Sequence, residues 1–248
     1  MKVLITGSRG FVGGSLKKRL IKDQFIVYEF NRHDSLETLE KHIKNSDIIY
    51  HFAGEVKPSC SDKDFFTSNK GLTEEIVKII KKLKKDIPII FSSSIHAKFQ
   101  KNSYGKSKKE AEILLEKYAK KSGNSVIIYH LPHLFGKGCK PNHNSVITTW
   151  MHNCIKEKEM VIYDENINIS YTYINDLIKD FILDLKTNKN GIFIFKQPSI
   201  IYQTTLGEVA KWICQCKEYI KKNKNPKNMQ EFKKKIFETM KYYYMENI

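Results

Sequence analysis

Arginine is scarce in this chain, which has only three arginines among 43 basic residues. The formal charge is +16 and the isoelectric point is near 9.4, so dispersed lysines carry almost all of the positive charge. Because arginine is the side chain that reads bases and clamps phosphates, this composition argues against specific nucleic-acid binding. A lysine-rich surface would still attract an anionic small molecule.

Long apolar runs and paired cysteines are also missing. No run approaches membrane-spanning length, and Arg9 and a group of glycines interrupt the one apolar stretch at the amino terminus, unlike a signal peptide. The five cysteines lack the C-x-x-C spacing of zinc sites. We therefore expect a soluble, cytoplasmic protein with reduced cysteines, no bound metal and no membrane partner.

Apolar runs alternate with amphipathic segments through the first half of the chain. The runs predict strands near residues 2–6, 25–30, 47–52, 87–93 and 125–131. Helical segments such as 69–85 and 103–121 separate them. Because these strands are apolar throughout, we expect an α/β fold with a Rossmann-type doubly wound parallel sheet, covered by helices on both faces.

The second half of the chain is less regular. Strands are predicted near residues 160–164, 169–174, 191–197 and 199–204, and helices around 145–157 and 175–187. Thr205 and Glu208 form a predicted capping box at the start of a helix that runs to about residue 222. The length of 248 residues and the hydrophobic content of 41% suit one sizeable α/β unit.

A glycine-rich turn follows the first predicted strand and precedes an amphipathic helix from Ser15 to Lys22. In such a turn the first glycine permits a tight bend, the second lets the backbone approach a diphosphate, and the third lets the helix lie close to the strand. The helix amino terminus offers N–H groups to phosphate. We predict a dinucleotide site formed by Gly7, Arg9, Gly10, Phe11, Val12 and Gly13.

The second predicted strand ends at Asn31 and Arg32, about twenty residues beyond the glycines, where a ribose-reading side chain is expected. A carboxylate there would accept the ribose 2′-OH and repel a 2′-phosphate. Asn31 is neutral, and Arg32 can pair with phosphate. We therefore favour NADPH over NADH, with an ordinary surface charge at Arg32 as the alternative. Arg9 is a second candidate for the same phosphate, or is only solvated.

Tyr104 and Lys108 lie four residues apart near the start of a predicted helix, downstream of a serine run from Ser92 to Ser94. Positions i and i+4 share a helix face, so the Lys108 ammonium can lie near the phenol oxygen and favour its ionised form. A phenol, an ammonium one turn later and a hydroxyl are what carbonyl reduction requires. The spacing alone is weak, since any lysine-rich helix produces it by chance.

Taken together, these motifs resemble those of the extended short-chain dehydrogenases/reductases, the NAD-dependent epimerase/dehydratase family, that act on nucleotide sugars. Several segments resemble more closely the reductase domain of CapF-like enzymes of surface-sugar synthesis. They are Ser92-Ser93-Ser94-Ile95, Tyr104-Gly105-Lys106-Ser107-Lys108-Lys109, Leu134-Phe135-Gly136-Lys137, Cys139-Lys140-Pro141-Asn142-His143-Asn144-Ser145, Tyr173-Ile174-Asn175-Asp176-Leu177 and Thr205-Leu206-Gly207-Glu208. The likeness runs almost end to end.

The resemblance implies roles for individual residues. It places the catalytic hydroxyl third in the serine run, so the implied catalytic set is Ser94, Tyr104 and Lys108. The further residues implied to lie near the cofactor are Phe52, Ala53, Gly54, Asn69 and Leu131. The candidates for substrate binding are Ser94, Ile95, His96, Lys140, Asn142 and Asn144. It also implies one domain over 1–248, with a dinucleotide-binding core at about 1–135 and a small, mainly substrate-binding lobe at about 136–248.

The residues after Ser94 help to separate reaction types. Nucleotide-sugar 4,6-dehydratases carry Asp-Glu directly after the catalytic hydroxyl, where this chain has Ile95-His96. We therefore expect reduction or a redox-mediated 4-epimerisation rather than dehydration. An epimerase reuses its bound cofactor, usually NAD, so the preference for NADPH favours a reductase. The alternatives are an NAD(P)-dependent nucleotide-sugar 4-epimerase and a non-enzymatic NADP-sensing protein on the same fold.

The resemblance thus implies an NADPH-dependent 4-keto reductase of a UDP-2-acetamido-2,6-dideoxy-hexos-4-ulose, making a 6-deoxy amino sugar nucleotide for a surface glycan. CapF-like enzymes commonly carry a carboxy-terminal cupin domain, to which epimerisation is attributed, and the sequence ends at Ile248 without one. We therefore expect a separate dehydratase and epimerase in the same pathway, or a pathway without C3 epimerisation. Related enzymes often form homodimers through paired helices, whereas the sequence itself does not determine the oligomeric state.

Overall fold

The computed structural model describes residues 1–56, 59–143, 145–187 and 191–246 of the chain. The chain divides into two compact units. The first unit contains Met1–Leu131 and Ile178–Pro198, and the second contains Pro132–Leu177 and Ser199–Ile248. No helix in the described ranges is both long enough and apolar enough to cross a bilayer.

Strands and helices alternate along the chain. The strands are Lys2–Thr6 (β1), Ile26–Phe30 (β2), Ile48–His51 (β3), Ile89–Ser94 (β4), Val126–Leu131 (β5), His133–Phe135 (β6), Asn168–Tyr173 (β7), Phe193–Lys196 (β8) and Tyr202–Thr205 (β9). The helices are Phe11–Lys22 (α1), Leu36–Asn45 (α2), Asp62–Phe65 (α3), Leu72–Lys82 (α4), His96–Phe99 (α5), Ser103–Ser122 (α6), Val146–Ile155 (α7), Ile174–Thr187 (α8), Leu206–Lys221 (α9) and Glu231–Met245 (α10). One π-helical segment, Phe66–Gly71, joins α3 to α4.

The first unit is built on a parallel sheet with the strand order β2-β1-β3-β4-β5-β8. Its core strands are apolar because both faces are covered, and Ile49, Phe91 and Ile128 are fully buried. This arrangement confirms the predicted Rossmann-type doubly wound parallel sheet. The chain passes from β1 to β2 on one side and then to β3 on the other, so the loops after β1 and β3 diverge and open a crevice.

The second unit contains a small sheet in which β6 pairs parallel with β7, and β7 pairs antiparallel with β9. Phe232 on α10 lies among the aromatic side chains of this sheet, and its ring stacks on that of Tyr202 at 4.6 Å. Lys235, one turn later, is buried and forms an ion pair with Asp176. A buried ammonium needs such a partner, because an unpaired charge in an apolar interior is strongly destabilising.

The structure departs from the sequence expectations in three places. The strand predicted at 160–164 is wrong: Met160 and Ile162 pack on the core, but Val161 and Tyr163 are exposed, and no strand pairs with this segment among the described residues. The sequence did not predict β6. Residues 178–198 join the first unit rather than the lobe, because β8 pairs with β5.

The close approach of α1 to the glycine turn generates a stability prediction. A Cβ added at Gly13 would lie 2.2 Å from the carbonyl oxygen of Gly7 and 2.9 Å from Ser8 Cα. We expect Gly13→Ala to lower the free energy of unfolding by about 1–3 kcal/mol, because backbone must shift to make room.

Gly14→Ala is the matched control for this prediction. The nearest atom to a Cβ there is the Ser8 oxygen at 3.4 Å, so we expect a gain of about 1 kcal/mol from helix propensity. Urea unfolding of both variants measures the difference. Equal stability of the two variants would contradict the proposed packing.

Candidate active site

The glycine turn after β1 is a tight bend beside the loop that follows β3. Gly7 has φ +74°, a conformation that favours glycine, and its N–H donates to the Phe30 oxygen at 2.7 Å. A Cβ on Gly7 would lie 2.8 Å from Ala53 N. Gly10 caps α1 without any side-chain hydrogen bond. The first amides of α1, from Phe11 onward, therefore have no side-chain cap, as a helix end that receives a diphosphate requires.

Asn31, at the end of β2, is tied to the glycine turn. Its Oδ1 accepts from the Arg9 N–H at 3.1 Å, and its Nδ2 donates to Ser8 Oγ at 3.0 Å. Ser8 Oγ also donates to Glu29 at 2.6 Å, and Lys17 forms an ion pair with Glu29 at 2.9 Å. Sequence reasoning missed Glu29 because it lies inside an apolar strand run. Its carboxylate stands next to the predicted ribose position, and Lys17 neutralises it.

Arg32 forms an ion pair with Glu55, which follows the loop after β3. The Arg32 side chain is largely exposed, whereas Glu55 is buried. Arg32 is thus held against the loop after β3, and no local sequence signal identified its acidic partner. A 2′-phosphate that binds Arg32 must compete with Glu55 for it.

Helix α6 places the predicted phenol and ammonium one turn apart. The Asn102 side chain caps the helix by accepting from the Gly105 N–H at 2.8 Å. Gly105 allows α6 to approach α5, since a Cβ there would lie 2.5 Å from the His96 oxygen. Tyr104 is therefore presented at the first turn of α6, beside the end of β4.

Tyr104 forms a hydrogen bond with Ser94, the last residue of β4. Burial of the phenol raises the pKa of Tyr104, while the hydrogen bond with Ser94 acts in the opposite direction. The phenol is thus protonated at neutral pH and available as a proton donor. Ser94 Oγ also accepts from the His96 N–H at 3.2 Å, which fixes the hydroxyl beside the phenol.

Lys108 is a buried cation whose side chain is only 3% exposed. Its Nζ donates to the Ser92 carbonyl oxygen at 2.9 Å and lies 4.8 Å from the centre of the Phe91 ring. Burial lowers the pKa of Lys108 to about 8, and the negative charge of Glu112 partly offsets that effect. Lys108 therefore remains mostly an ammonium at neutral pH but titrates far below an ordinary lysine.

Asn69, on the π-helical segment, is fully buried beside the loop that follows β3. Its Nδ2 donates to the backbone carbonyl oxygen of Glu55 at 3.2 Å and to Ser107 Oγ at 2.9 Å. Its Oδ1 has no hydrogen-bond partner among the described residues. A Cβ on Gly54 would lie 2.2 Å from Asn69 Oδ1 and 3.3 Å from Lys108 Nζ. Gly54 thus brings the loop, the amide and the ammonium together, and the amide oxygen is a buried acceptor without a partner among the described residues.

The His51 side chain, at the end of β3, forms hydrogen bonds with Thr6 on β1 and Thr73 on α4. Thr73 Oγ1 donates its proton to the backbone carbonyl oxygen of Asn69 at 2.7 Å. The same hydroxyl must therefore accept from His51 Nε2 at 2.9 Å. His51 Nδ1 then accepts from Thr6 Oγ1 at 2.8 Å, and Thr6 Oγ1 accepts from the Ala53 N–H at 3.1 Å. This chain of bonds fixes one neutral tautomer of His51. Sequence reasoning did not single it out.

A second buried carboxylate lies on α6 one turn beyond Lys108. Glu112 is 1% exposed and accepts hydrogen bonds from Ser93 on β4 and from His130 Nε2 on β5 at 2.8 Å. Lys109 Nζ lies 3.3 Å from its other oxygen. Burial alone would raise the pKa of Glu112, but the bonds from His130 and Ser93 outweigh it and leave the pKa below its usual value. Its position eight residues after Tyr104 places Glu112 on the same helix face as Tyr104 and Lys108, a signal already present in the sequence.

The other predicted site residues fall into three groups. In the first unit, Phe52 and Ala53 lie in the loop after β3, Leu131 ends β5, and Ile95 and His96 follow Ser94, with the Ile95 N–H donating to the Leu131 oxygen at 3.1 Å. Lys140 and Asn142 are exposed loop residues of the second unit. Asn144 lies outside the described residues. No group of three metal-ligating side chains occurs in the described part of the chain.

The chemistry of this arrangement follows from its polarity. A half-buried phenol, a serine hydroxyl and a buried ammonium lie at the carboxyl end of β4. The ammonium also lies beside the Gly54 loop and the unpaired amide oxygen of Asn69. The phenol and hydroxyl can stabilise negative charge that develops on an oxygen, and the phenol can supply a proton. The uncapped α1 and the glycine turn fit the diphosphate of a dinucleotide.

Comparison with known proteins gives a consistent picture. The family model described as NAD dependent epimerase/dehydratase family matches residues 3–194. A Pseudomonas aeruginosa protein, UDP-2-acetamido-2,6-beta-L-arabino-hexul-4-ose reductase, is 35% identical over 214 residues, which cover 85% of this chain and 56% of that protein. The chain thus spans little more than half of that relative.

Two solved structures show the same fold. CapF, a capsular polysaccharide assembling protein of Staphylococcus aureus, has a TM-score of 0.84 and 33% identity, covering 98% of this chain and 66% of that one. A UDP-glucuronic acid 4-epimerase of Bacillus cereus, solved with UDP-glucuronic acid and NAD, has a TM-score of 0.83 and 17% identity over the whole of both chains. The latter likeness is one of fold alone.

The buried His51 makes the stability of the protein depend on pH. Burial, together with the positive charge of Lys108, lowers the pKa of His51 to about 3. Between that value and the pKa of about 6.5 in the unfolded chain, the unfolded state binds more protons. We therefore expect stability from this group to be complete above about pH 6.5 and to decline by about 2 kcal/mol by pH 5.

Nuclear magnetic resonance of the histidine ring carbons tests this directly, with His51→Asn to assign the signal. We expect the His51 resonance to show no titration between about pH 8 and pH 5. A titration midpoint near pH 6 would contradict a neutral ring that forms a hydrogen bond at each nitrogen.

Proposed function

Because the chain belongs to the NAD dependent epimerase/dehydratase family, we propose that it is an NADPH-dependent 4-keto reductase of a UDP-2-acetamido-2,6-dideoxy-hexos-4-ulose. The observation that carries the proposal is the meeting of Ser94, Tyr104 and Lys108 at the carboxyl end of β4. The P. aeruginosa relative is named for reduction of a UDP-linked hexul-4-ose, which supports this substrate class. We further propose that the product serves surface-polysaccharide synthesis, as the description of CapF suggests.

The residues of this chain divide the work of reduction. NADPH, when bound, supplies the hydride that attacks the carbonyl carbon. Tyr104 delivers its proton to the developing alkoxide, and its pKa, raised by burial, keeps that proton in place until the oxygen becomes basic. Ser94 donates a hydrogen bond to the same oxygen and orients the carbonyl. Both groups act where charge develops, which is where preorganised donors are most effective.

Lys108 acts on this centre as a fixed positive charge. The Ser92 carbonyl and the Phe91 ring hold its ammonium at the end of β4, one helical turn from Tyr104. A cation in that position stabilises the phenolate left after proton transfer. Lys108 and the unpaired Asn69 Oδ1 are the candidates to bind the cofactor ribose beside the reacting carbon.

The proposed preference for NADPH is supported by charge at the end of β2. Asn31 occupies the predicted ribose position and is neutral, while Lys17 pairs with the nearby Glu29. Arg32 provides the exposed cation for a 2′-phosphate, which would take the place of Glu55 as its partner. A dianionic phosphate competes well with one carboxylate for a guanidinium.

A direct assay tests the proposed reaction. Protein, NADPH and the UDP-linked 4-keto sugar are mixed, and the absorbance of the reduced nicotinamide is followed. We expect a decline that is stoichiometric with loss of the keto sugar. A nucleotide-sugar 4-epimerase would interconvert sugars without net consumption of cofactor, and a non-enzymatic sensor would bind NADPH without turnover.

Tyr104→Phe removes only the proton donor. We expect it to lower kcat by roughly 10²–10⁴-fold, the usual contribution of a positioned general acid, while the dissociation constant for NADPH stays unchanged. Tyr163→Phe is the matched control, because Tyr163 is an exposed tyrosine of the second unit. Steady-state kinetics and cofactor fluorescence measure both quantities. Wild-type turnover in Tyr104→Phe would rule out the proposed acid.

Arg32→Ala tests the proposed 2′-phosphate contact. Because a charge-assisted bond is lost, we expect the dissociation constant for NADPH to rise about tenfold or more while that for NADH changes little. Arg19→Ala is the control, since Arg19 pairs with Asp23 on the exposed side of α1. Calorimetric titration with each cofactor gives the comparison. Equal losses for NADPH and NADH would contradict the contact.

A further inference from the structure

The buried carboxylate of Glu112 has no part in the reaction described above, yet it lies on the helix that carries Tyr104 and Lys108. Positions 104, 108 and 112 share one face of α6. Glu112 accepts from Ser93 on β4 and from His130 on β5, and its exposed fraction is only 1%. Its hydrogen bonds therefore connect the helix to the two strands whose ends form the candidate active site.

Ser93 stands between the two residues of β4 that face the site. The Ser92 oxygen accepts from Lys108 Nζ, and Ser94 bonds to Tyr104. The bond from Ser93 to Glu112 thus fastens α6 to the same three-residue stretch at a point next to both contacts. A shift of α6 along β4 would break this bond together with the two that set the phenol and the ammonium.

The negative charge of Glu112 also acts on the Lys108 ammonium. Among the described residues, the titratable groups placed around Lys108 are Tyr104 and Glu112 on α6 and His51 on β3, which is held neutral by Thr6 and Thr73. Lys109 and His130 contact Glu112 itself. Burial lowers the pKa of Lys108, and Glu112 provides the negative charge that opposes this. Glu55 is already paired with Arg32.

We propose that Glu112 is a positioning residue for the reductase, which locks α6 to β4 and β5 and keeps the buried Lys108 in its charged form. This inference rests on the proposed function for its kinetic consequence, but not for its electrostatic one. Glu112 touches neither substrate nor cofactor in the proposal and acts through Lys108 and Ser93.

Glu112→Gln tests the charge while keeping the shape of the side chain. Protein labelled with ¹³C at the lysine ε-carbon reports the titration of Lys108, with Lys108→Arg to assign its signal. We expect the titration midpoint of Lys108 to fall by about one pH unit in Glu112→Gln. Glu116→Gln is the matched control, because Glu116 lies one turn further along α6 and pairs with Lys120. It should leave the midpoint unchanged.

The pH profile of kcat gives the second readout. Turnover that needs the Lys108 ammonium should decline above about pH 8 in the wild type, and that decline should begin about one unit lower in Glu112→Gln. A uniform loss of kcat with an unmoved Lys108 midpoint would mean a purely structural role and would overturn the proposal. If the wild type fails to turn over the keto sugar, the proposed function fails, while the lysine titration still decides the role of Glu112.

Ser93→Ala provides a second variant if Glu112→Gln does not fold. It removes the bond to β4 without changing any charge. We expect kcat to fall several-fold while the KM for NADPH and for the sugar stay near their wild-type values, because the loss lies in the alignment of α6. An unchanged kcat in Ser93→Ala would overturn the positioning role.

Discussion

The burial of the Lys108 ammonium is the constraint on which the rest of the site depends. A cation in the interior is tolerated only where oxygen atoms and opposite charge replace the lost water. Here the Ser92 carbonyl, the Phe91 ring and the charge of Glu112 do so, and the loop at Gly54 closes over the same point. Strand β4, helix α6 and the loop after β3 must therefore keep their places for one side chain to remain charged.

The parallel sheet explains why these pieces meet. The ends of β3 and β4 are neighbours in the sheet, and α6 begins shortly after β4 and runs back along it. The site residues therefore come from the loops at the carboxyl ends of the strands, where open α/β sheets bind ligands. The glycine turn after β1 lies against the β3 loop through Gly7 and Ala53, so the two loops proposed to bind the dinucleotide are neighbours.

Much of this could be predicted from the sequence, because the signals were local. The strand, glycine turn and helix at the amino terminus, the Tyr104 and Lys108 spacing and the family all followed from contiguous motifs, and the family and the parallel sheet are confirmed. Glu112 was also within reach, since helical spacing alone puts it on the same face.

What the sequence did not predict depends on residues far apart in the chain. The pairing of Arg32 with Glu55 and of Ser8 with Glu29 arises only when separate loops converge. The apolar run at 160–164 has strand propensity but no partner strand in the described part of the chain. Strand β8 pairs with β5 in the first sheet, although residues 132–177 of the second unit separate the two segments of the first unit in the sequence. Propensity does not determine pairing.

The most direct test of the account is the fate of the hydride. The protein is incubated with NADPH that carries two deuterium atoms at C4 of the nicotinamide and with the UDP-linked 4-keto sugar, and the product is analysed by mass spectrometry and nuclear magnetic resonance. We expect one deuterium at C4 of the sugar for each NADPH oxidised. A sugar product without deuterium at C4, formed while NADPH remains reduced, would contradict it.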